Sequence, residues 1–329
     1  MKRRVLGRTG IEVGEVGIGT WELSGDVWGA KDDNVSLAAI RAGLDAGANL
    51  VDTAADYGNG HVEELVGRLL AERPRDEVVV ATKVRPECGV WAPRPERPIA
   101  EFFRPEWIRS ECEASLRRLG TDHVDLLFLH TWNRSWGHED DWFGEMAALK
   151  AAGKIRAIGI SVADEGVGDA NVQIARGQVD VVQVVHSVFQ QEPEHTLFPL
   201  ADRHSVGVIS RSPFSSGALV QEWSAGMTFP EGDWRATWAG PGWVEEQVRM
   251  REQVDEVIAA SGLDRPAFCL AYVLGDDRVA AVLPGSADPD HVRANCAASG
   301  GPELDPAVRE RATALWRERR IHGTFNGSG

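Results

Sequence analysis

Residues 124–130 read Val124-Asp125-Leu126-Leu127-Phe128-Leu129-His130. The run is nearly continuous in apolar residues rather than alternating. A strand built from it needs cover on both faces, as strands in a parallel sheet have. Further β-rich runs lie at 16–20, 49–54, 78–84, 155–162, 181–187, 206–211 and 280–284. Between most of them fall segments with helical spacing, among them 35–46, 62–70, 105–119, 143–151 and 167–176. The punctuation agrees. Pro105 opens one helical segment, and Gly47, Gly120 and Gly153 stand just past the ends of others.

Strands alternating with helices in this way predict a (β/α)8 TIM barrel. The rival is a doubly wound open sheet, but no Gly-x-Gly-x-x-Gly follows an early strand. Residues 4–13, with Gly7-Arg8-Thr9-Gly10 at the turn, predict a small N-terminal β-hairpin. Long connections follow strands three (85–104), four (131–141) and seven (214–242). The expected organisation is one domain over 1–322 and a flexible, Gly/Ser/Asn-rich C-terminal tail over 323–329.

Composition narrows the function. The 329 residues carry 35 Lys plus Arg against 50 Asp plus Glu, a formal charge of -15. Such a balance argues against a nucleic-acid partner or an anionic membrane, since both require a basic face. No apolar run reaches the length of a membrane span. Cys88, Cys112, Cys269 and Cys296 are widely spaced and read as free thiols, so the expected location is cytoplasmic. Twelve Trp against two Tyr is an unusual ratio.

In a barrel the reactive groups stand at the C-terminal ends of strands. The second strand ends in Asp52-Thr53-Ala54-Ala55-Asp56-Tyr57-Gly58, the third contains Ala81-Thr82-Lys83, and the fourth ends in Leu129-His130. A carboxylate, a phenol, an ammonium and an imidazole therefore fall on three adjacent strand ends. Taken singly, each has a structural alternative as a cap, a core residue or a surface charge. Their joint arrangement points to chemistry.

These motifs, with Val5-Leu6-Gly7-Arg8-Thr9-Gly10, Gly17-Ile18-Gly19-Thr20-Trp21, Gly153-Lys154-Ile155-Arg156-Ala157-Ile158-Gly159-Ile160-Ser161, Ser212-Pro213-Phe214, Gly217-Ala218-Leu219 and Pro284-Gly285-Ser286, resemble the aldo-keto reductase superfamily over nearly the whole chain. The likeness is to its bacterial-type members, related to the potassium-channel beta-subunit branch. It implies an NAD(P)H-dependent oxidoreductase that reduces an aldehyde or ketone to an alcohol, or runs the reverse, on a small-molecule substrate such as a sugar or aryl carbonyl. It also implies a catalytic tetrad of Asp52, Tyr57, Lys83 and His130. Tyr57 is the proton donor, Lys83 lowers the phenol's pKa, Asp52 holds the lysine, and His130 directs the carbonyl.

The same resemblance assigns cofactor contacts. Gly19, Thr20, Trp21 and Asp52 lie on the nicotinamide approach, and Ser161 and Gln183 meet the carboxamide. His186 stacks beneath the ring. Ser212, Phe214, Gly217 and Leu219 cover the diphosphate, and Gly285, Ser286 and Asn295 meet the adenosine end. Val162 stands where the family commonly has asparagine, and His186 where an aromatic is usual. NADP(H) is the family default. Ala287 and Asp288, however, replace the basic residues that grip a 2′-phosphate, and no arginine follows until Arg293, which keeps NAD(H) open. Asp288 alternatively caps the following helix.

Trp21, Trp28, Trp91, Trp132, Trp136, Trp223, Trp234, Trp238 and Trp243 lie in connections that open onto the catalytic face. An aromatic-lined substrate mouth is therefore expected, with Trp21, Trp28, Trp91, Trp132 and Trp136 as substrate contacts. No metal is expected, because His138-Glu139-Asp140-Asp141 reads as a solvated acidic turn. Two other functions remain open at this point. One is a nicotinamide-binding regulatory or interaction subunit, the other an epimerase that uses bound cofactor transiently. Natural substrate, reaction direction and oligomeric state are not encoded in any motif.

Overall fold

The computed structural model describes residues 1–321 apart from Asp26, Ala30, Ala92, Glu165 and Arg319, and the Trp238 side chain lies outside the description. The expected tail over 323–329 also falls outside the described residues.

Two short antiparallel strands, β1 (Arg3–Val5) and β2 (Glu12–Gly14), form the hairpin. The chain then runs β3 (Ile18–Gly19), α1 (Asp33–Asp45), β4 (Leu50–Asp52), α2 (His61–Leu70), β5 (Val79–Val84), α3 (Pro105–Leu119), β6 (Val124–Leu129), α4 (Asp141–Ala151) and β7 (Ile155–Ser161). It continues with α5 (Asn171–Ala175), β8 (Val181–Val185), α6 (Glu192–Thr196), α7 (Phe198–Arg203), β9 (Gly207–Arg211) and α8 (Trp234–Trp238). The last elements are α9 (Trp243–Ser261), α10 (Arg265–Leu274), β10 (Val279–Leu283), α11 (Pro289–Ala297) and α12 (Pro306–Arg317).

Strands β3 to β10 form one 8-stranded sheet in sequential order with every pairing parallel. Parallel bridges from Val16 to Val282 and from Gly19 to Gly285 join the two edges. This is the (β/α)8 barrel. Closure leaves no long sheet edge free for another chain to pair with.

The opening stretch shows how the barrel is built. Every residue of β6 is buried, because helices cover its outer face and other strands face its inner one. The one charge in the run, Asp125, accepts from Arg75 at 2.9 Å, from the Val80 amide at 2.9 Å and from Arg156 at 2.5 Å. A buried carboxylate is tolerated there only because it is fully partnered. Inside the barrel, Leu50, Ala81, Leu126, Phe128, Ala157, Val181, Ile209 and Leu283 pack together, and Leu6, Ile11 and Val13 from the hairpin region plug the N-terminal end. Phe128 fits because Gly159 faces it: a β-carbon on Gly159 would stand 2.3 Å from the ring. This closed floor leaves the C-terminal mouth as the place for polar groups.

The helix expected over 167–176 is confined to α5, and the 143–151 segment begins earlier, at Asp141. The long connections carry structure of their own. Ile99–Glu101 and Arg134–His138 are short 3-10 turns, and α8 lies in the connection after β9.

Candidate active site

Inward-pointing residues alternate along each strand, so parity decides which side chains reach the mouth. Asp52 ends β4 two residues after the interior Leu50, and Lys83 lies two after Ala81. His130 follows Phe128 by the same step. Tyr57 opens the turn Tyr57–Gly60, in which Gly58, Asn59 and Gly60 have φ of 59°, 52° and 94°. Glycine is needed at 58, since a β-carbon there would approach the Ser24 carbonyl oxygen to 2.8 Å. The turn is anchored from behind: Arg118 lies against Gly60 and donates to Glu63 at 2.6 Å, and Glu63 accepts from Thr82 at 2.5 Å.

These side chains form one network. Lys83 Nζ donates to Asp52 Oδ2 at 2.8 Å, to the Thr53 carbonyl at 2.9 Å and to the Tyr57 hydroxyl at 3.3 Å. Gln183 Nε2 donates to Asp52 Oδ1 at 2.7 Å, and Ser161 Oγ donates to Gln183 Oε1 at 3.3 Å. The His130 and Tyr57 rings are 5.8 Å apart, and Trp91 meets His130 edge-on at 4.8 Å. His130 Nδ1 is buried without a protein partner.

Burial and neighbouring charges set the protonation states. Burial pulls the Lys83 ammonium toward deprotonation, but Asp52 and Tyr57 more than restore it, and the net shift is upward. Burial raises the Tyr57 phenol above its ordinary value, and Lys83 offsets only part of that rise. The sequence reading expected a net lowering by Lys83. Desolvation outweighs it, and the phenol keeps its proton. His130 lies well below the ordinary imidazole value through burial, then Lys83, then Arg211, so it is neutral.

Arg211 was missed by the sequence reading. It ends β9 two residues after the interior Ile209 and beside Val185 of β8. Its guanidinium donates to the Val162 carbonyl at 2.9 Å and to Asp164, and its buried Nε has no protein partner. Strand parity was the available signal. The same parity corrects His186, expected beneath the nicotinamide. Gln183 and Val185 face inward, so His186 points to the outer side of β8. There it meets Glu194 at 2.9 Å and packs edge-on against Phe198 with centroids 5.0 Å apart.

The remaining expected cofactor positions lie in the connections after β3, β9 and β10 and in α11. Thr20 is buried and its hydroxyl donates to the Asp52 carbonyl at 2.8 Å, supporting the tetrad from below. After β9, Ser212, Ser215, Ser216 and Gly217 have φ of 56°, 47°, 58° and 96°. The left-handed residues carry a conformational cost, and the turn is closed from within, the Ser215 and Gly217 amides donating to the Ser212 and Phe214 carbonyls at 3.0 Å each. Arg235 steadies this turn by donating to the Ser216 carbonyl at 3.0 Å and to Asp233. Phe214 and Leu219 pack against the core on either side of it. Gly285 pairs with Gly19, and Ser286 Oγ accepts from the Asp288 amide at 3.1 Å. Asn295 is buried in α11. Asp288 is the N-cap of α11, accepting from the Asp290 amide at 2.8 Å.

The tryptophans divide. Trp21, Trp28 and Trp234 form a cluster with centroids 5.3 to 5.9 Å apart. Trp28 bridges Asp233, joining the connections after β3 and β9 across the mouth. Trp132 and Trp136, expected as substrate contacts, are fully buried instead. They pack with Phe102, Phe103 and Trp142, and Trp136 donates to the Arg97 carbonyl at 2.7 Å. The long connection needs an apolar anchor, and these indoles serve as one. Trp223 and Trp243 pack on each other and on Phe229 in the same way. Among the described residues, no group of three or more His, Cys, Asp or Glu is placed to hold a metal ion.

A barrel whose mouth joins an aspartate, lysine and tyrosine opposite a neutral histidine has a match among known families. The model of the Aldo/keto reductase family covers residues 15–317. The chain belongs to this family. Among similar proteins, an NADH-specific methylglyoxal reductase of Escherichia coli (strain K12) is 31% identical over 339 residues, spanning 96% of this chain and 100% of that protein. The aldo-keto reductase YhdN of Bacillus subtilis (strain 168) is 34% identical over 234 residues, 71% of this chain and 68% of that one. The solved holo form of aldo-keto reductase AKR11C1 from Bacillus halodurans superposes with a TM-score of 0.76 at 28% identity, covering 96% of each chain. Glycerol dehydrogenase AKR11B4 from Gluconobacter oxydans gives 0.75 at 28% identity, covering 98% of this chain and 97% of that one.

As an aldo/keto reductase, the chain is an NAD(P)H-dependent oxidoreductase of carbonyl and alcohol groups. Its residues fit a nicotinamide dinucleotide on structural grounds. The open His130 Nδ1 and the Ser161–Gln183 pair beside Asp52 offer polar atoms on which such a group can be held.

Proposed function

We propose that this aldo/keto reductase reduces a small aldehyde or ketone, the size of a short 2-oxoaldehyde, with Asp52, Tyr57, Lys83 and His130 as its catalytic group. The observation that carries the reading is the Lys83 ammonium, which donates at once to the Asp52 carboxylate and the Tyr57 phenol with neutral His130 across from them. Nicotinamide, when bound, supplies the hydride.

The chain's own residues manage position and proton. Hydride arrival at a carbonyl carbon leaves negative charge on its oxygen. Tyr57, kept protonated by burial, gives its phenolic proton to that oxygen. Lys83 then stabilises the phenolate, while Asp52 keeps the ammonium charged and oriented. Neutral His130 directs its ring N–H at the substrate oxygen and so aligns it with the phenol. Ser161 and Gln183 orient the nicotinamide carboxamide, and Gln183 couples that seat to Asp52. The 215–217 turn, Gly285, Ser286 and Asn295 receive the diphosphate and adenosine.

A full-length relative named as an NADH-specific methylglyoxal reductase supports both the substrate size and use of NADH. Trp21, Trp28 and Trp91 give the mouth apolar walls. We read residues 1–322 as one catalytic unit. We place it in a reducing, cytoplasmic setting, because all four cysteines are free thiols.

The test is Tyr57→Phe assayed by nicotinamide absorbance on a panel of small carbonyls. Loss of the general acid is expected to lower kcat about 10³-fold while NADH affinity stays within about twofold. Turnover at the wild-type rate in this variant would refute the assignment. Net NADH consumption also separates reduction from an epimerase, and turnover itself separates an enzyme from a regulatory subunit.

A further inference from the structure

Glu22 is a charged group that no function above uses. It lies in the 3-10 turn Trp21–Leu23, just after the Gly19–Gly285 bridge. Its carboxylate rests directly on the loop after β10: a β-carbon on Gly285 would stand 3.0 Å from Glu22 Oε1 and 3.1 Å from its Cδ. The basic residues whose charges bear on it come from three separate elements: Arg235 of α8, Lys31 ahead of α1 and His291 of α11. Arg235 also holds the Ser216 carbonyl of the left-handed turn. Glu22 thus stands where the turn at 21–23 meets the exit at 285–286, and Arg235, whose charge bears on it, holds the turn at 215–217. Burial pushes its carboxyl above the usual carboxylate range.

Asp288, the acid that the sequence singled out, is less suited to recognition. It is exposed, and its oxygen is committed to capping α11. Arg293, the first arginine after Gly285, is paired with Asp290 at 2.5 Å. The loop after β10 therefore offers a 2′-phosphate little positive charge, while Glu22 presents a negative one.

We propose that Glu22 selects NAD(H) over NADP(H), accepting hydrogen bonds from the adenosine ribose hydroxyls and repelling a 2′-phosphate. The inference rests on the dinucleotide-dependent reading above. A carboxylate can accept from both hydroxyls of a diol in charge-assisted bonds. Against a phosphate dianion in a partly desolvated cleft, the same charge is repulsive and poorly screened. Arg235 and Lys31 offset the repulsion between Glu22 and the diphosphate, which both cofactors share.

The test is titration of the full chain with NADH and NADPH, read by quenching of tryptophan fluorescence, for wild type, E22Q and E22A. A hydrogen-bonded charge at the ribose predicts wild-type NADH binding at least about tenfold tighter than NADPH, and a ratio brought within about threefold by either variant. A role for Glu22 in merely holding the loop would weaken both dinucleotides together and leave the ratio unchanged, which overturns the proposal. So does a wild type that binds NADPH as tightly as NADH, or a ratio that collapses in D288N but persists in E22Q. Absence of binding by either dinucleotide would instead refute the oxidoreductase reading itself. E22Q is isosteric, so the comparison does not depend on a disrupted fold.

Discussion

Tyr57 and His130 are displaced in opposite directions, the phenol upward and the imidazole well downward, and the pH dependence of the reaction follows. His130 is neutral on both sides of its ordinary value of 6.5, so kcat/KM for reduction should show no acid limb near that pH. It should fall only as the phenol loses its proton, above about pH 10. A pH profile at saturating NADH checks this, and a limb centred near 6.5 would contradict the neutral-histidine assignment. Arg211 adds only the smallest of the charges that lower His130, after burial and Lys83, so R211Q should leave the profile without an acid limb near 6.5. At this scale the tetrad was legible, because four reactive residue types fell on adjacent strand ends. Arg211 was overlooked and His186 misplaced because one residue of strand parity decides whether a side chain enters the barrel or its outer shell.

The elements that carry these residues depend on particular contacts. Phe128 fills the barrel only because Gly159 has no β-carbon, and the 2.3 Å approach leaves no room for one. G159A should lower stability by about 1–3 kcal/mol through overpacking, measurable by chemical denaturation. The connection after β6 is held by Trp132 and Trp136 instead of offering them to substrate. Trp132→Ala should accordingly cost about 3–5 kcal/mol of stability, with KM changing far less than stability does. A large KM effect in a fully folded variant would return Trp132 to the substrate mouth. That these indoles sit in a loop was evident from sequence. Which of them turned inward was not, because burial of a loop residue depends on the elements packed over it.

At the scale of the whole molecule, buried carboxylates tie distant elements together. Glu194 of α6 meets His186 after β8, Tyr272 of α10 and Arg309 of α12. Asp276 pairs with Arg278. Burial alone would raise both acids, but their partners hold them below their ordinary values of 4.5 and 3.8. A depressed folded-state value means stability that is fully present above the unfolded value and lost as pH falls through the folded one. Thermal unfolding should therefore show Tm falling gently below about pH 6.5, where the unfolded chain protonates the imidazole that the fold keeps neutral at His130, and more steeply below about 4.5, and E194Q should reduce that second, more acidic slope. An unchanged slope in E194Q would remove this cluster as its source.

The sequence by itself determined the barrel and singled out Asp52, Tyr57, Lys83 and His130 as a candidate group. Apolar runs, helix punctuation and residue spacing are local properties, and each of these conclusions needs only local order along the chain. The tertiary structure alone decided the rest: the net rise of the Tyr57 phenol, the entry of Arg211, the enclosure of Trp132 and Trp136, and the meeting of Glu22 with Gly285. Desolvation and contact between distant segments arise only when the barrel closes, because neither is a property of any single stretch of sequence.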